Sequence, residues 1–495
     1  MVKITEPADS SAVAGLLTVR ATAQSDEKVD RMEFMVDDNL IGTDKTAPYE
    51  CQWDTDAEVD GARRLTARAC DEVGREGQDE ITAYVDHTVP RPSEEWYFAE
   101  GCTDYGFETW VLIQNPAGEA TVAHVTFMDD TGETKTYACD LPADSRTTVN
   151  AAAEVPGANI SVEVRAGHEV ICERAMYWNG RVEGHGSIGT TSLSRDWYFA
   201  EGCTDYGFET YVLVGNPGDD PVEVTLRYMF DDGGVHTTKH LLEPHSRLTV
   251  DALDEVGPGE FSVHVGSGEP GVVAERAMYY GGRNCGTGTI GCKAPSNTWY
   301  LSEGSTDWGF ETWLLIGNPG DDEARVTVTY RESGGETVEK VYTVGGNTRH
   351  TVNLQTAVGI ADVSTQVSSD VPVVCERAMY WNNRGAGHCT VGSPGPGTTW
   401  YLAEGCTDYG FETWLLIDNP GEESQTATVT FMTQDGSVVP VQVELPPRCR
   451  TSLDAAQYVP ASSFSVRITT PEPVMAERAM YWNGRQGGTG SIGAR

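Results

Sequence analysis

Residues 96–116, WYFAEGCTDYGFETWVLIQNP, return as WYFAEGCTDYGFETYVLVGNP at 197–217, WYLSEGSTDWGFETWLLIGNP at 299–319 and WYLAEGCTDYGFETWLLIDNP at 400–420. The copies start 101, 102 and 101 residues apart, and each unit closes on one phrase, ERAMYW from Glu173, Glu376 and Glu477 and ERAMYY from Glu275. A period of that length is a whole domain rather than a solenoid turn. The 495 residues therefore divide into a leading domain, 1–90, and four sister repeats at 96–190, 197–292, 299–393 and 400–495. Within repeat 1 the runs 96–100, 108–114, 120–128, 133–139, 145–150, 159–165 and 169–178 are rich in Val, Thr, Tyr and Trp and bounded by Gly, Pro, Asn and Asp. That pattern predicts an antiparallel β-sandwich, with one short helical turn at 151–154. Joints as short as GTTSLSRD (189–196) and SPGPGTT (393–399) allow little swing. The expected fold class is all-β, tandem Ig-like sandwiches in a semi-rigid rod.

Residues 1–90 lack the repeat but read as another sandwich through VKITEP, LLTVRATA, FMVDDNLIGTD, PYECQWDTD and LTARACDEVG. This segment resembles the bacterial Ig-like domains of secreted enzymes and surface proteins, on Pro7, the strand and turn at 34–44, Trp53-Asp54 before Gly61, and the strand 65–74. The four downstream units are similar to a repeat of uncharacterised secreted proteins of Gram-positive and related bacteria, on EGxTxxGFxTxLxxxNP and ERxMYW. The resemblance implies a cell-surface or extracellular setting and brings no catalytic residues with it.

Composition narrows the partners. With 75 acidic against 34 basic residues the formal net charge is −41, which repels a phosphate backbone and excludes nucleic acid. No apolar run approaches the roughly 20 residues of a membrane span. The twelve Cys show no CxxC pairing or His-rich spacing, so disulfides in an oxidising compartment are expected rather than zinc. The local pairs are Cys285 with Cys292 and Cys375 with Cys389; Cys406 and Cys449 are the only two in repeat 4. Cys51 and Cys70 would join two strands of the first domain, although the Leu65, Ala67, Ala69 alternation turns Cys70 away from that stripe. Cys102, Cys139, Cys172 and Cys203 permit three pairings.

Among the motifs, GxGxxG occurs from Gly184, Gly286 and Gly488. Without a preceding parallel strand and a following helix it cannot cradle a dinucleotide, and a glycine-rich turn is expected. Each repeat repeats its charges: Glu100, Glu201, Glu303 and Glu404 in AEG or SEG, and Arg174, Arg276, Arg377 and Arg478 in ERAMY. These predict one structural ion pair inside each sandwich. A glycosidase pair would not be kept in four copies. Calcium is the only cofactor in view: the acidic TDxGFET loops offer oxygen ligands, but no twelve-residue ligand loop occurs. No HExxH or GxSxG appears, so no enzyme is expected. The chain starts on strand-like VKITEP and stops after SIGAR, so both ends are expected to be docked. The function expected is a structural surface element that self-associates into a filament or stalk. The alternative is a multivalent array binding surface glycans, which would leave one aromatic platform exposed per repeat where a structural rod buries its aromatics at the joints.

Overall fold

The computed structural model describes residues 1–495 and is β-sandwich throughout, its helices being single turns such as Ala151–Glu154. In repeat 1 the strands are Ser93–Phe98, Glu108–Asn115, Thr121–Asp129, Thr134–Leu141, Ser145–Asn150, Ile160–Trp178 and Glu183–Ile188. The strands expected at 159–165 and 169–178 are one continuous strand of 19 residues. Its first half pairs with Thr121–Asp129 and Ser93–Phe98, its second half with Glu108–Asn115 and Glu183–Ile188. One strand thus passes from one sheet of the sandwich to the other, and no turn is needed between them. Repeat 2 carries one residue more in this stretch, and there the strand breaks into Phe261–Ser267 and Val273–Tyr280. The opening tryptophans, Trp96, Trp197, Trp299 and Trp400, are buried in the sandwiches and donate Nε1 to the carbonyls of Val170, Val272, Val373 and Val474.

The repeats do not line up as a rod. Glu183–Ile188, Cys285–Ile290, Ala386–Val391 and Gly487–Ile492 each pack on the equivalent strand of both neighbouring repeats, and the fourth meets the first. The repeats therefore close into a ring of four, and their cores merge into one cluster of 90 buried residues. The expectation of an extended rod fails because ERAMYW has no solvent face. Glu173, Ala175 and Tyr177 point to repeat 4, where Tyr177 packs on Trp482 and Phe411. Arg174, Met176 and Trp178 point to repeat 2, where Trp178 packs on Tyr279 and donates Nε1 to the Arg283 carbonyl at 2.9 Å. With both sides of the strand buried, the only stable arrangement places a sister repeat on each side.

The glycine-rich phrase is the inner strand of this hub, not a turn. A Cβ on Gly184 would lie 3.1 Å from Trp482 of repeat 4, and one on Gly286, 3.0 Å from Trp178 of repeat 1. On Gly488 it would lie 2.7 Å from Trp381 of repeat 3. The glycines are the floor on which the neighbour's aromatic ring sits. The next alternate position is matched across the junction: Gly288 faces His185 and Gly490 faces His388, whereas Cys389 faces Thr287.

The leading domain is a separate sandwich with a core of 15 buried residues, including Val19, Phe34 and Trp53. One sheet orders Val2–Glu6, Leu16–Ala23 and Tyr49–Asp54; the other orders Ser11–Val13, Glu76–Val85, Gly61–Asp71, Val29–Val36 and Asn39–Asp44. It docks on the ring through the Tyr84 and Tyr300 hydroxyls, 3.1 Å apart, and through Arg495, whose guanidinium meets Asp86.

All twelve cysteines are unpaired, which corrects the expected disulfide framework. Cys285 and Cys292 lie seven residues apart along one extended run, about 20 Å where a disulfide needs Cα atoms within about 7 Å. Cys389 stands opposite Ala378, an odd offset from Cys375, so the two face opposite sides of the hairpin, and the Cys389 sulfur lies 3.0 Å from Arg276. Cys449 faces repeat 3, donating to the Ser333 carbonyl at 3.1 Å, while Cys406 faces Arg146 of repeat 1. Cys51 packs toward the core of the leading domain, while Cys70 sits on the opposed sheet and faces away from that core, as its alternation indicated, though it is buried there too. Cys102 and Cys203 stand at different repeat junctions, and Cys139 and Cys172 lie unbonded in the core. The inference of an oxidising compartment from disulfides falls with them.

Candidate binding site at the repeat junctions

The charges singled out in the sequence converge on the hub, but the tighter bonds cross between repeats. Arg174 lies 3.0 Å from Glu100 of its own repeat and 2.6 Å from Glu275 of repeat 2. Arg276 lies 3.3 Å from Glu201 and 2.6 Å from Glu376 of repeat 3; Arg377 lies 2.9 Å from Glu303 and 2.5 Å from Glu477 of repeat 4. Arg478 lies 3.2 Å from Glu404 and closes the circle on Glu173 of repeat 1. The ERAMY glutamate also accepts backbone N–H groups of the preceding repeat, Glu275 from Ala99 at 2.9 Å and Glu376 from Ala200 at 2.7 Å. Burial pushes the Glu173, Glu376 and Glu477 carboxyls above their usual range. Around the four arginines burial opposes the charge, but the two carboxylates beside each outweigh it.

A second arginine crosses every junction. Arg146, Arg247, Arg349 and Arg450 each place Nη1 on two backbone carbonyls of the preceding repeat, Arg349 on those of Gly202 at 2.9 Å and Phe261 at 3.3 Å. Their Nε atoms are buried without a partner.

Above these arginines each junction opens a pocket of about 250 to 330 Å³. The TDxGFET segment builds one wall. Asp104 Oδ1 accepts the Tyr105 N–H at 2.8 Å, Gly106 takes φ +82°, and Thr109 closes the loop by bonding the Cys102 N–H and carbonyl, each at 2.8 Å. The turn drives its tip outward: Tyr105, Tyr206, Trp308 and Tyr409 are 77 to 82 % exposed, and all four are held at positive φ. Phe107, Phe208, Phe310 and Phe411 follow and pack inward on the hub aromatics. The next repeat supplies the opposite wall: Tyr211, Trp313, Trp414 and Trp110. Arg283, Arg384 and Arg181 lie over Tyr211, Trp313 and Trp110 at 5.3 to 5.6 Å, each held by a carboxylate, Glu209, Glu311 or Glu108. At the floor stand Glu100, Glu201, Glu303 and Glu404, bonded to Tyr279, Tyr380, Tyr481 and Tyr177 across the junction at 3.2 to 3.4 Å.

The AEG glutamates and the ERAMY arginines named from the sequence do pair within each repeat, at 2.9 to 3.3 Å; the tighter partner across the junction, the second arginine and the turn-tip aromatics as a site were not foreseen. Two signals pointed there. An aromatic residue between Asp and Gly in a tight turn has no core to fill, and Ser305 replaces the cysteine of the other three copies, which marks that place as a polar pocket position and not half of a disulfide. No group of three or more metal-ligating side chains converges anywhere in the chain, the TDxGFET loops included, and no helix is long and apolar enough to cross a membrane.

Among solved structures the chain is similar to the fibronectin(III)-like modules of Clostridium thermocellum CbhA, at 35 % identity over 17 % of this chain and 96 % of that one, TM-score 0.15. It is also similar to Thermotoga maritima 1070, at 22 % identity over 21 % and 97 %, TM-score 0.19. A tetra-tandem repeat of a large adhesion protein matches at 14 % identity over 79 % and 97 %, TM-score 0.12. Scores this low say nothing about the ring or its pockets. No curated protein matches the sequence. Residues 1–67 match the bacterial Ig domain, and residues 261–493 match a family of unknown function, DUF5719, so the chain joins a bacterial Ig domain to an uncharacterised repeat region.

Proposed function

We propose that the junction pockets bind saccharide, and that the protein is a tetravalent, extracellular carbohydrate-binding protein of a bacterium rather than an enzyme. One observation carries this reading: every repeat holds an aromatic side chain almost fully exposed on a left-handed turn, and three of them, Tyr105, Tyr206 and Trp308, line the mouth of a junction pocket. A bulky residue at positive φ costs about 1–2 kcal/mol, and burial does not compensate it here. An exposed ring offers the apolar face of a pyranose a stacking surface, and the second aromatic wall with the charged floor supplies the few polar contacts that orient a small ligand. Four such pockets at fixed spacing on a rigid ring favour a polymeric glycan through avidity.

Catalysis is disfavoured because the floor carboxylates are engaged by hub arginines, where a glycosidase needs a free acid and a free base or nucleophile. Filament growth rested on an open rod, and head-to-tail contacts that close into a ring do not propagate. The surface setting is supported by the leading bacterial Ig domain.

Retention on immobilised cell-wall and plant polysaccharides, compared between the wild type and the quadruple variant Tyr105→Ala/Tyr206→Ala/Trp308→Ala/Tyr409→Ala, tests the proposal. The tips touch no core, so the variant keeps its melting temperature and loses retention. Equal retention by the two proteins, or no retention of the wild type on any glycan, refutes it.

A further inference from the structure

The four pockets are built alike but charged differently. At the junctions of repeats 2 with 3 and 3 with 4, the buried arginine has an acid beside it: Arg349 Nη2 lies 3.8 Å from Glu260 and Arg450 Nη2 lies 3.7 Å from Asp362. The equivalent positions at the other two junctions, each bridged to the pocket cysteine, are Asn159 and Ser463. Asn159 turns away to donate to exposed Asp130 at 3.4 Å. The pockets beside repeat 1 are therefore lined by two arginines and one carboxylate: Arg247, Arg283 and Glu100 in one, Arg146, Arg181 and Glu404 in the other. Those beside repeat 3 are lined by two of each. The single carboxylates are already bonded to hub arginines, and Arg283 and Arg181 to Glu209 and Glu108. What remains is a guanidinium, 7 % exposed at both Arg146 and Arg247, whose Nη atoms meet backbone carbonyls and the Thr148 or Thr249 hydroxyl but no carboxylate. Burial holds both below the ordinary arginine range, so the charge is one that an anion would stabilise.

Building on the saccharide reading above, we infer that the two pockets flanking repeat 1 take an acidic sugar, a uronate whose carboxylate supplies the partner that Asn159 and Ser463 do not. The two pockets flanking repeat 3, where Glu260 and Asp362 already stand beside the arginine, take neutral sugars. The ring would then read a polysaccharide that carries both charged and uncharged residues.

Calorimetric titration of the full chain with uronate disaccharides, their methyl esters and neutral disaccharides tests this. The expected result is two uronates per chain, with affinity falling as salt rises and lost in the methyl ester, which keeps the shape and removes the charge. Asn159→Glu and Ser463→Asp copy acids already present in the sister pockets; together they should weaken uronate binding about tenfold or more and leave neutral sugars unaffected. Glu260→Asn with Asp362→Ser should raise the stoichiometry from two to four. Equal binding of ester and free acid, four uronates on the wild type, or indifference to Asn159→Glu/Ser463→Asp would overturn the inference. Binding of neutral sugars alone overturns it while leaving the saccharide reading standing; binding of no sugar overturns both.

Discussion

Replacing Arg478 by Met strikes the junction that closes the ring. Its guanidinium is fully buried against Glu173, 305 residues away in sequence, and lies 3.2 Å from Glu404. Removing one partner of such a pair costs about 3–5 kcal/mol, because the remaining carboxylate stays buried without its cation. Glu173 keeps the N–H donors of Ala403 and Glu404, at 2.7 and 3.3 Å, yet its carboxyl already sits above the usual range and rises further once the arginine is gone. The folded variant then holds a proton that the unfolded chain releases, so its deficit grows as pH rises through the folded value and shrinks toward pH 5. Glu173→Gln alone leaves Arg478 with Glu404 and costs about 1–3 kcal/mol. Combined, the two changes should fall short of additivity by about 2 kcal/mol, read by urea unfolding followed through tryptophan fluorescence. In a rod these residues would lie three repeats apart and would not couple. Additive costs, or an Arg478→Met deficit under about 0.5 kcal/mol, would refute the ring.

Gly488→Ala places a methyl 2.7 Å from Trp381 and should cost about 1–3 kcal/mol, while Gly268→Ala, which meets nothing within 4 Å, stays within about 0.5 kcal/mol in the same urea titration. His185 and His388 are buried and held neutral, well below their usual range, by burial and the neighbouring arginines. The unfolded chain takes up protons there first, so stability is full above about pH 6.5 and falls by about 2 kcal/mol per histidine by pH 5. Thr287 and Thr489 occupy the same place in the sister repeats, and His185→Thr/His388→Thr should flatten that part of the pH profile measured by thermal melting. Unfolded without reductant, the protein should present twelve titratable thiols; a count near zero would restore the disulfide framework.

The sandwich and the repeat were legible because they depend on patterns within one unit. What escaped was whatever lies between units. Within ERAMYW, Glu173 and Arg174 are adjacent and both fully buried, so both faces of the strand are interior. A free-standing sandwich cannot provide that, and the adjacency was itself a sign of closure. The glycines at 184, 286 and 488 read as a turn because part of their reason for lacking a side chain, a tryptophan from the adjacent repeat, is about 100 residues or more away in sequence or across the ring closure. Cys102, Cys203 and Cys406 invited disulfide arithmetic, whereas their alignment with Ser305 marked a pocket position. Of the candidate site, the recurrent glutamates and arginines were visible, but their partners across the junction were not, since residue type fixes the need for a counter-charge and not which repeat supplies it.

Small-angle X-ray scattering from the full chain in solution tests the ring most directly. A compact chain of 495 residues has a radius of gyration of about 23 Å, and a closed ring with one docked sandwich should fall between about 23 and 28 Å, whereas five sandwiches in line give about 48 Å. A value in the lower range, unchanged by salt, is the predicted result; a value above about 40 Å would contradict the closure on which every junction pocket depends.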